Sequence, residues 1–199
     1  MLAEFYQIRS EIFGIGSFLN GPDSYDLYPS TKIFVFYDNQ KVVGGLRIIE
    51  GSDGPLAMED KFGRTQQLVP NIDLKQTSHC EISGVCAIQG GQRAREYLGT
   101  TMQKIALDFI RAEKKSDLVF IGLRTTNIGP AHHAVEQAKF KGVVISGKGS
   151  NIHDIQRVPM VATCNSEIKL AEIVNPEDKP QSIKTYHLKH SGAKITQQH

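Results

Sequence analysis

The sequence predicts a single α/β domain, and three observations carry that reading. Tyr97, Leu98, Met102, Ile105, Ala106, Phe109 and Ile110 recur at steps of three and four, the stripe of a helix packed on a core. Residues 117–123 form a continuous apolar run of the kind found in buried parallel strands. Two earlier strand-like runs, 32–37 and 42–49, flank the short polar connection Asp38-Asn39-Gln40-Lys41 and read as a hairpin. With 199 residues and 40% hydrophobic content, the chain is long enough for one domain with its own core.

Charge and cysteine usage narrow the class. The 23 basic and 21 acidic residues give a formal charge of +2, too mild by itself to argue for nucleic acid. Cys80, Cys86 and Cys164 cannot all pair, and the first two lie on one strand too far apart to bridge. A reduced, cytoplasmic protein is expected. The start, Met1-Leu-Ala-Glu-Phe-Tyr6, has an early acidic residue and no long apolar run, so neither a signal peptide nor a membrane span is expected.

The elements come in order along the chain. Leu2, Phe5, Ile8, Ile12 and Phe13 at helical spacing, with Gly14 after them, predict a helix over 2–13 with Arg9 near the edge of its apolar face. A loop over 14–30 carries the turn chemistry of Asn20-Gly21-Pro22-Asp23. The hairpin comes next, with Arg47 sharing a face with Val43, Gly45 and Ile49. Residues 51–78 are polar and irregular apart from a helical turn at 56–62, and read as a surface excursion.

Residues 79–88 then form a strand. Simple alternation places Glu81, Ser83, Val85 and Ala87 on one face and Cys80, Ile82, Gly84, Cys86 and Ile88 on the other. A polar loop over 89–95 leads into the periodic helix from about residue 96 to Lys114-Lys115, whose N-terminus is suited to anions. The apolar strand at 117–123, a helix at 130–138 and a late hairpin-like pair at 143–146 and 156–163 complete the domain, set at 1–165. Residues 166–199 read as a C-terminal extension of disorder-prone composition, with a linker-like stretch at 175–182 and a polar end. His132 and His133 are adjacent, so they point in different directions on a helix and make no metal site with the scattered cysteines.

The order helix, loop, strand, strand, excursion, strand, loop-helix, strand, helix and two strands resembles the GNAT acyltransferases. That likeness implies a three-layer sandwich whose central mixed sheet is splayed, with a thioester donor in the splay. Backbone donors at Val85 and Cys86 would polarise the thioester carbonyl, and N–H groups around Gly99, Thr100 and Thr101 would hold the pantetheine arm. Glu96-Tyr-Leu-Gly99-Thr-Thr101 is a degenerate form of the superfamily's phosphate-loop signature.

A narrower resemblance spans residues 5–165. Arg9-x-x-x-Phe13, Asp23-Ser-Tyr25-Asp26, Val43-Gly-Gly-Leu-Arg47-Ile-Ile, Met58-x-x-x-Phe62 and Glu81-Ile-Ser83 occur in the order found in the acyl-homoserine-lactone (autoinducer) synthases and their N-acyl amino acid synthase relatives. The likeness implies an acceptor pocket formed or braced by Arg9, Phe13, Asp23, Asp26, Arg47 and Phe62. It implies Glu81 as the base that takes a proton from the attacking amine, with Ser83 beside it.

Two departures bear on the acceptor. The family usually continues from the glutamate and serine with an arginine, where this chain has Gly84, and its acceptor-site tryptophan has no counterpart in a chain without Trp. A smaller amino acid or amine, bound through its carboxylate by Arg47 or Arg9, suits the remaining charges better than S-adenosylmethionine.

The resemblance implies an acyl thioester of acyl carrier protein or coenzyme A as donor, with no tightly bound cofactor expected. Arg93, Arg95, Lys104, Arg111, Lys114 and Lys115 would dock acidic acyl carrier protein or meet coenzyme A phosphates. Val85, Ala87, Val119, Ile121 and Leu123 would line an acyl tunnel. An ordinary acetyl-coenzyme A acetyltransferase and a non-catalytic acyl- or coenzyme A-binding module remain the alternatives at this point.

Overall fold

The computed structural model describes residues 2–13, 21–88, 92–113, 116–145, 148, 150–152 and 155–174. Helix α1 (Leu2–Phe13) buries Phe5, Tyr6 and Ile8, as its spacing requires. Strands β1 (Lys32–Asp38) and β2 (Lys41–Glu50) pair antiparallel. The turn between them places Asn39 and Gln40 at φ 46° and 70°, left-handed backbone whose twist matches that of the strands it joins.

The excursion holds two short helices, α2 (Glu59–Phe62) at the end of the expected turn and α3 (Thr65–Leu68), which periodicity does not reveal at four residues. Strand β3 (His79–Ala87) comes after them. Helix α4 (Gln92–Glu113) starts at Gln92, earlier than the expected start near residue 96, because Gln92, Arg93, Ala94 and Arg95 are good helix formers despite their polarity. Strand β4 (Leu118–Arg124), helix α5 (Ile128–Gln137), strands β5 (Lys141–Val144), β6 (Ser150–Ile152) and β7 (Ile155–Thr163), and a final turn α6 (Leu170–Ile173) complete the chain. Strand β6 is the one strand the sequence did not indicate.

The seven-stranded sheet runs β1-β2-β3-β4-β7-β5, with β6 also on β7. It is mixed. β3 and β4 are parallel, while β7 is antiparallel to β4 and to β5.

One face buries Cys80, Ile82, Val119 and Ile121 against Met102, Ala106 and Ile110 of α4 and against Ala131 and Val135 of α5. The other buries Ile49, Leu118, Phe120 and Val161 against Met58, Phe62 and Leu68 of the excursion and Ile173 of α6. Helix α1 lies on this second face: a Cβ at Gly45 would come within 2.5 Å of the Phe5 ring, so only glycine admits the helix there. The result is three layers, helix, sheet and helix. Ile173 and Val174 are 7% and 1% exposed, so the packed body runs past residue 165.

Two irregularities of β3 open the centre of the sheet. Its pairing with β4 covers only His79–Ile82 against Leu118–Ile121, after which the two strands part. Its pairing with β2 shifts register between Gly45/Arg47 and Cys86/Ser83, so that Gly84 and Val85 stand against the single residue Leu46. This is a β-bulge, and Gly84 supports it at φ +64°.

The bulge corrects the simple alternation expected for this strand. Glu81 and Ser83 share the α1 face with their partners Ile49 and Arg47, but beyond Gly84 the phase flips. Cys86 then points to α1, whereas Val85 and Ala87 face α4 with Cys80 and Ile82.

Candidate active site

The gap between β3 and β4 is the floor of a cavity of about 390 Å3. On the α1 side it is walled by Ile12, Phe13, Met58, Lys61, Phe62, Glu81 and Ser83. On the α4 side the walls are Val85, Ala87, Gly99, Thr100 and Gln103, closed by Thr126, Asn127, Pro130 and Ala131 before and within α5. The cavity therefore passes through the opened sheet.

Glu81 is 3% exposed. Burial pushes its carboxyl up from 4.5 to about 7, against the pull of the Met58 N–H, the Arg47 charge, the Ser83 hydroxyl and the Lys61 ammonium. The Met58 amide donates to Oε2 at 2.9 Å, so the excursion fixes the carboxylate in place. A carboxyl poised near neutral pH at a cavity wall is suited to proton transfer.

The four charged residues expected around the acceptor come together, and they bind one another. Arg9 grips Asp26 with both terminal nitrogens, at 3.2 Å to Oδ1 and 2.8 Å to Oδ2, and donates to the Gly21 carbonyl at 3.1 Å. Arg47 Nη1 donates to Asp23 at 2.5 Å and to Asp26 at 2.8 Å. Asp23 Oδ1 also accepts from the amides of Tyr25 and Asp26.

Burial by itself would raise the Asp26 carboxyl, yet the hydrogen bonds from Arg9 and Arg47 hold it below the ordinary aspartate value. Arg9, Arg47 and the Asp26 side chain are essentially inaccessible to solvent, and none of the four residues lines the cavity. Of the expected acceptor residues, Phe13 and Phe62 do.

On the donor side, Val85, Cys86, Ala87, Gly99 and Thr100 line the cavity. Thr101 does not; its hydroxyl donates back to the Tyr97 carbonyl at 3.0 Å. Ile121, expected in the acyl tunnel, is a correction. It is 1% exposed in the core because it pairs with Ile82 at the last rung before the strands part. Val119 is buried there too, which leaves Val85, Ala87 and Leu123 as the apolar lining from that set.

Lys104 and Arg111 are both ion-paired with Asp108, at 2.5 and 3.0 Å. The side chains of Arg93 and Arg95, and Lys114 and Lys115 altogether, lie outside the described residues. Among the described residues no cluster of three or more His, Cys, Asp or Glu is arranged to hold a metal ion. No described helix is long and apolar enough to cross a membrane.

Three charged cavity residues escape sequence reasoning: Lys61, Arg124 and Arg157. A signal exists in hindsight. Arg124 continues the phase of Leu118 and Phe120 along β4, and Arg157 that of Val161 along β7, so both carry charge on the face of Glu81. Finding them needs the β4–β7 pairing, which no local pattern supplies.

A mixed sheet that opens between β3 and β4 beneath a long helix is the GNAT acyltransferase fold, in the form shared by acyl-homoserine-lactone synthases. The synthase LasI aligns with a TM-score of 0.60 at 15% identity, over 86% of each chain. The CoA-dependent synthase BjaI aligns at 0.58 and 16% identity, over 83% of this chain and 76% of its own. An acyl-CoA N-acyltransferase from Pseudomonas aeruginosa aligns at 0.51 and 15% identity, over 80% of this chain and 88% of its own. No protein-family model and no curated protein matches, so the likeness is one of fold.

Proposed function

We propose that the protein is an N-acyltransferase moving an acyl group from a thioester, on coenzyme A or acyl carrier protein, to the amine of an amino acid or related small molecule. The observation that carries the reading is the cavity through the opened sheet, with Glu81 buried in its wall at a carboxyl pKa of about 7. The structural neighbours agree with a thioester donor: BjaI was solved with S-adenosylmethionine and isopentyl-CoA.

In this reading the donor enters on the α4 side, its pantetheine arm along Gly99 and Thr100 and its acyl chain against Val85, Ala87 and Leu123. The acceptor enters past Phe13 and Phe62. Glu81, directly or through a water, takes a proton from the ammonium, and the freed lone pair attacks the thioester carbon. A C–N bond forms as the carbonyl oxygen gathers negative charge, which backbone N–H groups of the bulge at Val85 and Cys86 stabilise. The C–S bond then breaks, and the thiolate leaves and takes up the second amine proton. Ser83, beside Glu81, positions the amine or the water. The thioester is a cosubstrate, and no resident cofactor is required.

The test offers the protein acyl-CoA and acyl-carrier-protein thioesters from acetyl to long-chain, together with a pool of amino acids and S-adenosylmethionine. N-acylated products are identified by mass spectrometry. Product with at least one donor is expected. Failure with every donor would leave a non-catalytic acyl-binding protein, and acetyl transfer alone would leave an ordinary acetyltransferase.

A further inference from the structure

Arg124 and Arg157 are register partners on β4 and β7, and two like charges placed directly opposite each other destabilise a sheet. They lie on the same face as Glu81, with Lys61 of α2 on the same cavity wall. Lys61 feels the charge of both Arg157 and Glu81, and Arg157 feels that of Arg124, which brings the three cations and the carboxylate into one electrostatic neighbourhood.

Among the described residues the anionic groups whose charge Lys61 feels are Glu81 and Asp60, and Asp60 already accepts a hydrogen bond from the Tyr25 hydroxyl at 2.8 Å. Among the described residues none of the three cations forms a salt bridge, and the Arg157 Nε is buried without a hydrogen-bond partner. Contrast Arg9 and Arg47, whose charge is matched by Asp23 and Asp26. Among the described residues, the positive charge of this site that forms no salt bridge is therefore on β4, β7 and α2.

We propose that Arg124, Arg157 and Lys61 form the subsite that holds the carboxylate of the amine acceptor, selecting anionic amino acids over neutral or cationic amines. The inference rests on the acyltransferase reading for the word acceptor, but the anion site stands on the geometry alone.

Level matters here. Glu81 pairs with Phe120, so Arg124, four residues further along β4, stands about level with the far end of the bulge at Gly84–Cys86 across the gap. An α-amino acid whose nitrogen lies between Glu81 and the bulge carries its carboxylate two bonds away, within reach of long guanidinium side chains rooted at that level. Guanidinium forks match carboxylates in shape as well as in charge. The helix side of the sheet, where the donor lies, is the opposite face, so the cations meet the acceptor and not the donor's phosphates. S-adenosylmethionine brings a sulfonium beside its carboxylate and so gives up part of the attraction.

The test titrates the protein, loaded with coenzyme A, with each of the twenty standard amino acids and with its α-carboxamide, by calorimetry. At least one acid is expected to bind about tenfold or more tightly than its amide, as a charge-assisted hydrogen bond implies. Arg157→Gln and Arg124→Gln should each erase most of that difference while leaving the affinity for coenzyme A unchanged, and Arg157→Lys should restore part of it. Equal binding of acids and amides by the unaltered protein overturns the proposal, as does a loss of coenzyme A affinity in the two variants. Both substituted side chains are partly exposed, and matching thermal unfolding of the variants guards against misfolding. Acylation of the same amines is tracked in parallel. Acid-selective binding with no product from any thioester would sink the acyltransferase reading and leave the carboxylate site standing.

Discussion

Glu81 carries the sharpest consequences at the scale of a single residue. Its carboxyl is raised from 4.5 to about 7 by burial, so the folded state binds a proton that the unfolded chain has released between those values. Stability contributed by this site therefore falls as pH rises from 4.5 through 7. At 1.36 kcal/mol per pH unit, the burden is about 3 kcal/mol above pH 7 and absent at pH 4. Glu81→Gln keeps an acceptor for the Met58 amide and removes the charge, so it should raise stability by about 3 kcal/mol at pH 8 and leave it unchanged at pH 4, read by denaturant unfolding. The same variant should lose activity most near neutral pH and least at high pH, where the amine is already unprotonated; an unaltered rate across that range would exclude Glu81 as the base. This residue was legible in the sequence as a carboxylate on an apolar strand. Arg124 and Arg157 were not, because their meaning lies in a pairing of strands more than thirty residues apart.

Individual elements owe their placement to the Arg9–Asp26–Arg47–Asp23 cluster. It ties the segment at 21–26 to α1 and to β2, with Arg9 also lying 4.8 Å over the Tyr6 ring and Arg47 5.5 Å over Tyr25. The residues were legible as a set, but not their partners: a sequence states which charges exist and leaves open whether they meet a ligand or each other. Removing one member of a buried pair strands the others, at about 3–5 kcal/mol. Asp26→Ala should cost that much in denaturant unfolding at pH 7, far more than Lys104→Ala, whose partner Asp108 is solvent-exposed in part. Because Asp26 titrates below its ordinary value, its contribution is present above that value and lost as the pH falls through the lowered one, so the gap between the native protein and Asp26→Ala should narrow in acid. Elements with strong local patterns, such as α1, β1, β2 and the stripe of α4 apart from Tyr97 and Ile105, which are exposed, were legible for the same reason that the short ones were not. Three or four residues of β6 or α3 take their form from the surfaces they pack against.

At the scale of the molecule, the proposed reaction brings donor and acceptor into the cavity from opposite faces of one sheet, and both have to be present for the amine to meet the thioester. The cysteines offer no covalent detour, since burial raises the Cys86 thiol to about 11 and the Cys80 thiol to about 12, far from a nucleophilic thiolate at neutral pH. Initial rates measured against both substrates should give intersecting double-reciprocal lines, and Cys86→Ala should not convert or abolish the pattern. Parallel lines would point to an acyl-enzyme and sink direct attack.

The left-handed residue at position 84 separates the two sides of the cavity along a single strand. Because the strand changes phase there, its odd-numbered residues look to opposite faces: in the proposed reaction Glu81 and Ser83, before Gly84, meet the amine, whereas Val85 and Ala87, after it, meet the acyl chain. A substitution at Val85 or Ala87 therefore changes the α4 side of the cavity without touching Glu81 or Ser83, so long as residue 84 keeps the left-handed backbone that glycine adopts freely.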